Sequence, residues 1–276
     1  MLDLDWLGAM RRAAAAQRRL FEAEPTIAGR TVYEGVGEGG DHSLALDRRC
    51  EDIVFAELDR LHAESGRAFA AVSEERGEVA FGKGETPWRV IIDPIDGSLN
   101  ARRTIPAHCL SVAVASGPAM ADVEWGFVHE FGTGEEFVAR RGAGAQLNGR
   151  ELRAEGPGYG LEIVGIESAD PKRIAPVVAA LVGRAYRVRV IGSIAITLCY
   201  VAAGRLDGML NARACRSVDV AAAQLIASEG GAVLEFEGLP LDAADLGLDA
   251  RYRVRGALDA EMLATLRDVQ ALAPEE

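Results

Sequence analysis

Apolar positions recur at helical spacing over residues 3–23, where Leu7, Met10, Ala14 and Phe21 form one stripe and Pro25 ends the pattern. A short strand is predicted at 31–33, then the glycine-rich stretch GVGEGG at 35–40. A second helix follows over about 43–64, with Val54, Leu58 and Leu61 on one face. The period then changes to two. Residues 69–72 run into Ser73-Glu74-Glu75, and 88–92 run into Asp93-Pro94. Leu110, Val112 and Val114 alternate with Ser111, Ala113 and Ala115, and Val123, Trp125 and Phe127 alternate in the same way. This pattern predicts an antiparallel sheet covered by the two early helices.

Past the turn-rich stretch 148–160, strand and helix alternate. Strands are expected at 161–166, 186–191 and 206–210, and helices at 172–184, 193–204 and 217–229. The expected organisation is an α+β half at 1–155 and an α/β half at 156–276.

Composition agrees with a globular chain. Of 276 residues, 49% are apolar and 26% charged, which suits one large or two ordinary domains and excludes a disordered, collagen-like or coiled-coil protein. Lys plus Arg is 30 against 42 for Asp plus Glu, a formal net charge of −12. Such a chain is a poor non-specific binder of nucleic acid or anionic membrane. Cys50, Cys109, Cys199 and Cys215 lie far apart with no CxxC, which reads as a reducing compartment and not as a disulfide frame or zinc site. The nearly uncharged run 190–203 is short of the roughly 20 residues a membrane span needs. The N-terminus shows no signal-peptide pattern, so a soluble cytoplasmic protein is expected.

Two glycine-rich stretches imitate nucleotide motifs. Residues 35–40 fit GxGxxG, but Glu38 and Asp41 would face a pyrophosphate with like charge, so a plain loop is the better reading. Residues 77–84 nearly fit a Walker A loop, yet lack its final Ser/Thr and follow no long buried strand, so a charged surface turn is expected. His42, His62, His108 and His129 are scattered without a metal partner at helical spacing and read as structural or surface groups, and Trp6, Trp88 and Trp125 as core.

The chemistry concentrates in Asp93-Pro94-Ile95-Asp96-Gly97-Ser98. A hydrophobic strand carries Asp93 to its end, Pro94 breaks the ladder, and Gly97 permits a backbone conformation closed to other residues. Such a turn can bring two carboxylates and the Ile95 carbonyl to one point. Hard cations want oxygen ligands of this kind, and two carboxylates so close repel without one. Alone, the segment could equally be an Asp-rich turn with Asp96 capping a helix. Further acids extend the pattern. Glu74 and Glu75 end a strand about twenty residues earlier, and Asp219 opens an apolar helix behind Ser217. Taken singly, Asp219 is also a favourable charge at a helix N-terminus, and the Glu pair a solvated turn.

With the Glu74-Glu75 pair, the D-P-I-D-G-S segment and the distal Val218-Asp219-Val220-Ala221, the sequence resembles the inositol monophosphatase and fructose-1,6-bisphosphatase superfamily of metal-dependent, lithium-sensitive phosphatases. Gly40-Asp41, Asp47, Ile105-Pro106 and the stretches 142–149, 189–193 and 199–204 follow the same pattern, so the resemblance covers nearly the whole chain. It is strongest toward the archaeal-type enzymes that hydrolyse both inositol phosphate and fructose bisphosphate.

The resemblance implies a layered α/β/α/β sandwich, a homodimer and two to three magnesium ions per site. It places the first ion on Glu74, Asp93 and the Ile95 carbonyl, the second on Asp93, Asp96 and Asp219, and a weaker third near Glu74. Ser98, usually Thr in the family, would orient the attacking water, and Asp47 would receive its proton. Gly97 and Ser98 open a short helical segment whose N–H groups suit a phosphate. Gly192-Ser193 would contact the substrate, although Ser193 also reads as an ordinary N-cap.

One departure bears on the substrate. Inositol-preferring members carry a Glu seven residues before the distal Asp, where this chain has Ala212 flanked by Asn211 and Arg213. Arg213 cannot accept a hydrogen bond but can pair bidentately with a second phosphate or a carboxylate. Lys172, Arg173, Arg187 and Arg189 are further candidates for a remote phosphate, or simply solvated charges. The expected activity is phosphomonoester hydrolysis of a small sugar or cyclitol phosphate, fructose 1,6-bisphosphate or inositol 1-phosphate above all. The alternatives are 3′-phosphoadenosine 5′-phosphate hydrolysis and a non-catalytic regulatory role.

Overall fold

The computed structural model describes residues 1–36, 42–168 and 170–272. The first apolar stripe forms α1 (Trp6–Ala23), capped by the Asp5 carboxylate, which accepts the Gly8 N–H. A one-turn α2 (Ile27–Arg30) leads to the antiparallel pair β1 (Tyr33–Val36) and β2 (His42–Leu44), with β1 starting two residues later than expected. Residues 37–40 of the dinucleotide-like motif, Asp41, and the side chain of His42 lie outside the described residues. Helix α3 (Ala45–Ser65) buries Cys50, Val54, Leu58 and Leu61 in one core with the α1 stripe.

The large sheet follows from β3 (Phe69–Ser73), β4 (Gly77–Phe81), β5 (Arg89–Asp96), the short α4 (Ser98–Arg102), β6 (Cys109–Ala115), β7 (Val123–Glu130), β8 (Glu136–Arg140), β9 (Ala145–Leu147) and β10 (Arg150–Leu152). Its eight strands run in the order β10-β9-β8-β7-β6-β5-β3-β4, antiparallel except for the β3–β5 pair. The Walker-like stretch is therefore not a surface turn. Its first half is the edge strand β4, with Phe81 buried and Glu78 and Ala80 facing solvent, and β3 precedes it directly.

The second sheet is built from β11 (Leu161–Glu167), α5 (Pro171–Ala180), β12 (Ala185–Arg189), α6 (Ile194–Ala202), β13 (Gly208–Asn211), β14 (Cys215–Arg216), α7 (Ser217–Glu229), β15 (Val233–Phe236), β16 (Arg251–Tyr252), β17 (Val254–Ala257) and α8 (Ala260–Gln270). Its order is β12-β11-β13-β17-β15, parallel from β12 to β13 and antiparallel beyond, with β14 and β16 paired apart. Helix α5 stops at Ala180, short of the expected 184, because Gly183 follows with a φ of 76° that a right-handed helix cannot contain.

Helices α6 and α7 are apolar on every side, the signature of a helix with no solvent face, and they lie between the two sheets. Gly126 of β7 lets α7 approach closely: a Cβ there would stand 2.8 Å from the Ala222 carbonyl oxygen. Helices α1 and α3 cover the outer face of the large sheet, and α5 and α8 that of the small one. The result is a layered α+β fold with three helical layers around two sheets. The stretch from Leu152 to Leu161 separates the sheets along the chain, while α6 and α7 join them into one core.

Candidate active site

Strand β5 does not stop at Asp93. It continues to Asp96, and its register against β6 slips by one residue between the pairs Asp93–Ser111 and Asp96–Cys109. In a regular strand, residues three apart face opposite ways. The bulge at Pro94, where no ladder N–H is available, removes that opposition and turns both acids into the protein. Asp93 is 3% and Asp96 8% exposed. The Asp93 carboxylate accepts the Ile95 N–H at 3.0 Å, closing the turn.

Gly97 has φ 88°, and a Cβ there would stand 2.8 Å from the Ala107 carbonyl oxygen and 3.1 Å from that of Gly192. Only glycine fits. The turn delivers Ser98, exposed, to the start of α4. Asn100 ties α4 to the neighbouring loop, donating to the carbonyls of Ala107 at 2.8 Å and Ile191 at 2.7 Å.

Asp96 points to the N-terminus of α6. Its Oδ2 accepts the Ser193 hydroxyl at 2.6 Å and the Ala195 N–H at 2.7 Å. Ser193 is thus both the N-cap, accepting from Ile196, and a support for Asp96. The Gly192 loop is held from beneath by Glu167, a buried acid at the end of β11. Its carboxylate accepts the N–H groups of Ile191 and Gly192 and the Thr197 hydroxyl, at 3.0, 2.9 and 2.6 Å. Burial raises the Glu167 pKa to about 7 against those three hydrogen bonds.

Asp219, in the first turn of α7, accepts the Arg216 N–H at 2.8 Å, a capping contact. Glu74 follows β3 directly, and its carboxylate pairs with the Arg216 guanidinium. The Glu74-Glu75 turn is braced by buried Glu51, which accepts the Ser73 hydroxyl and the N–H groups of Glu75 and Arg76. Asp47 stands half-buried in the first turn of α3.

The acids from β3, β5 and α7 share one electrostatic field. Burial first, then the charges of Asp96, Asp219 and Glu74, push the Asp93 pKa far above the usual carboxylate range. Asp219 is raised by burial, then by Asp96 and Glu74. Asp96 is raised by burial, with Glu167 adding to it and its Ser193 and Ala195 hydrogen bonds opposing. Among the described residues no three His, Cys, Asp or Glu side chains are already drawn round a single point. Each of the four acids already has a partner: Glu74 the Arg216 guanidinium, Asp96 the start of α6, Asp219 the Arg216 N–H and Asp93 the Ile95 N–H. An all-oxygen set of mutually repelling carboxylates, Asp93 and Asp96 buried and Glu74 and Asp219 partly exposed, nevertheless fits a hard divalent cation better than any other partner.

Beside Asp219 opens a cavity of about 820 Å³ whose lining includes Arg173, Arg213, Arg216, Arg251 and Asp170. Arg213 and Arg173 thus reach the site. Lys172 and Arg189 do not line the cavity: Lys172 is exposed on α5, and Arg189 sits on the edge strand β12, its guanidinium on the Val188 carbonyl at 2.9 Å. Arg216, Arg251, Glu167 and Glu51 escape sequence reasoning. For Arg216 a signal exists, since it stands three residues before Asp219, just ahead of the distal motif. His62, His108 and His129 are not among the groups that act on Asp93, Asp96 and Asp219. His108 and His129 are packed against Phe131, where burial holds both imidazoles down at about 4.

Fold and site together define a class: two sheets clasping a helical layer, with acids from two strand ends and a helix start near enough to raise one another's pKa. The model of the inositol monophosphatase family matches residues 7–271, and the chain belongs to that family. It is 32% identical to a fructose-1,6-bisphosphatase/inositol-1-monophosphatase of Methanocaldococcus jannaschii, over 85% of this chain and 87% of that protein. It is 31% identical to the Nus factor SuhB of Vibrio cholerae, over 72% and 73% of the two chains. A solved structure of an inositol monophosphatase–fructose 1,6-bisphosphatase superposes with a TM-score of 0.81 at 28% identity, over 96% of this chain and all of the other.

Proposed function

We infer that the chain is a phosphoric monoester hydrolase acting on a small sugar or cyclitol phosphate, with fructose 1,6-bisphosphate and inositol 1-phosphate as leading substrates and magnesium as cofactor. The observation that carries this is the shared field of Glu74, Asp93, Asp96 and Asp219. Glu74, Asp93 and the Ile95 carbonyl would hold one ion, and Asp93, Asp96 and Asp219 another. Bound there, two to three ions would make a water acidic and neutralise the phosphoryl oxygens. The chain's own groups do the rest. Ser98 would orient the water, Asp47 would take its proton, and Gly97 with the first N–H groups of α4 would receive phosphate oxygens. Gly192 would contact the substrate, Ser193, buried and bonded to Asp96, would act by holding that acid, and Arg213 would pair with a second anionic group in the arginine-lined cavity.

Phosphate release with magnesium, compared across fructose 1,6-bisphosphate, inositol 1-phosphate and 3′-phosphoadenosine 5′-phosphate at equal concentration, tests the reading. One of the first two is expected to win. A clear preference for the nucleotide would move the substrate class, and silence on all three would favour the regulatory role that the likeness to a Nus factor suggests. The intact acid set speaks against that role, and a net charge of −12 against direct RNA affinity. Arg213→Ala is expected to raise KM for the bisphosphate about tenfold, as loss of a charged hydrogen bond does, and to leave KM for the monophosphate nearly unchanged. Equal effects on both would remove Arg213 from the second-anion role.

Three further features belong to this reading. The cysteines Cys50, Cys109, Cys199 and Cys215 are free and buried, which suits a reducing cytoplasm. No described helix is long and apolar enough to cross a membrane. The edge strand β12 and its flank expose Tyr186, Val188 and Val190, a surface that suits a homodimer partner.

A further inference from the structure

Glu74 is the acid that the metal reading places at the outer end of the cluster, and its carboxylate already has a cation. The Arg216 guanidinium pairs with it across the site, joining the end of β3 to the start of α7, 142 residues along the chain. The pair is half-shielded, with side-chain exposures of 14% for Arg216 and 23% for Glu74. Arg216 is fixed at its backbone, because its N–H donates to Asp219 at 2.8 Å and its strand pairs with β16. Its charge reaches the cluster as well, lowering the Asp219 pKa while Glu74 raises it.

We propose that Arg216 is a built-in counter-ion that competes with divalent cations for Glu74. The proposal rests on the metal reading above. A guanidinium on a carboxylate uses the lone pairs that a cation would need. A divalent ion placed on Glu74 would also face the guanidinium with like charge at short range, in a site partly closed to water. Loading this end of the cluster therefore requires the guanidinium to leave. The structure offers it a place to go. Arg216 also lines the cavity beside Asp219, where Asp170 stands at the wall and where an anionic substrate group would meet Arg173, Arg213 and Arg251. Arg216 thus changes partner with the state of the site: Glu74 without ions, and the cavity with them.

The test is magnesium binding to the ion-free protein, followed by titration calorimetry and by melting in EDTA and in magnesium, for wild type, Arg216→Met, Arg216→Gln and Arg216→Lys. The Met and Gln variants keep the backbone contact to Asp219 and remove the charge. Both are expected to bind magnesium about tenfold tighter than wild type, the size of a typical coupling between two sites. Both are also expected to melt lower in EDTA, because Glu74 is left without a partner, and to recover in magnesium. Arg216→Lys, still cationic, is expected to stay near wild type. A merely structural arginine would instead weaken binding or leave it alone. Unchanged or weaker affinity in whichever neutral variant folds, alongside a wild type that binds magnesium, overturns the competition and leaves the metal centre standing. Absence of binding in wild type and variants alike overturns the metal centre, and the competition with it.

Discussion

Asp93→Asn is expected to lower magnesium-dependent phosphate release about a thousandfold while raising the melting temperature of the ion-free protein. The two effects have one origin. Asp93 is the acid assigned to both ions, and the transition-state charge that metal ions stabilise is worth several kcal/mol, or about a factor of ten for each 1.36 kcal/mol. Asparagine keeps the shape and can still accept the Ile95 N–H, so the turn at Pro94 survives. What it removes is a buried acid whose ionisation Asp96, Asp219 and Glu74 oppose. Without ions that acid is a cost whether it stays charged or takes up a proton to fold, and each kcal/mol relieved raises the melting point by about 2–4 °C in a chain of this size class. Rate assays on the folded variant and melting curves in EDTA read both arms. A near-normal rate would sink the two-metal assignment. A lower melting temperature would mean that Asp93 is structural through a contact other than the repulsion described.

The elements legible from sequence are those whose burial is periodic over many residues. Helices α1 and α3 show their stripes, and α7 shows itself by having no polar face, so its bounds at Ser217 and Glu229 coincide with the expected ones. The three strands from Glu136 to Leu152 are too short for a period to register, and β4 is masked by the charges of an edge. The acid motif is local and could be read, but the geometry that makes it a site is not. The one-residue slip of β5 exists only against β6. Glu167 is invisible for a related reason: its partners are two backbone N–H groups and a hydroxyl 24 to 30 residues away, and no local spacing announces that contact. Arg189 is the opposite case. It lies beside the substrate loop in sequence, yet its strand is an edge whose side chains face solvent.

In EDTA the acid cluster is expected to cost stability as pH rises, and magnesium to stabilise the protein far more at pH 8 than at pH 5.5. Asp93, Asp96 and Asp219 all have folded pKa values above the ordinary carboxylate value. A group raised in the folded state binds its proton more tightly there. Its contribution is complete below the unfolded value, about 3.9, and is lost as pH climbs through the folded one. Other groups act with the opposite sign. His108 and His129, held neutral down to about 4, lose stability as pH falls below their unfolded value. Glu235, held at about 2 by Arg255 and Arg267, does so only in strong acid. None of these three is a proposed ion ligand. They contribute equally with and without magnesium and cancel in the difference between the two melting points. That difference isolates the cluster, because an ion replaces the protons the acids otherwise keep. At 100 times its dissociation constant a ligand adds about 2.7 kcal/mol, so a magnesium shift of about 5–10 °C is expected at pH 8, shrinking toward zero near pH 5.5 as protons compete. A shift of equal size at both pH values would place the ion on groups other than these acids.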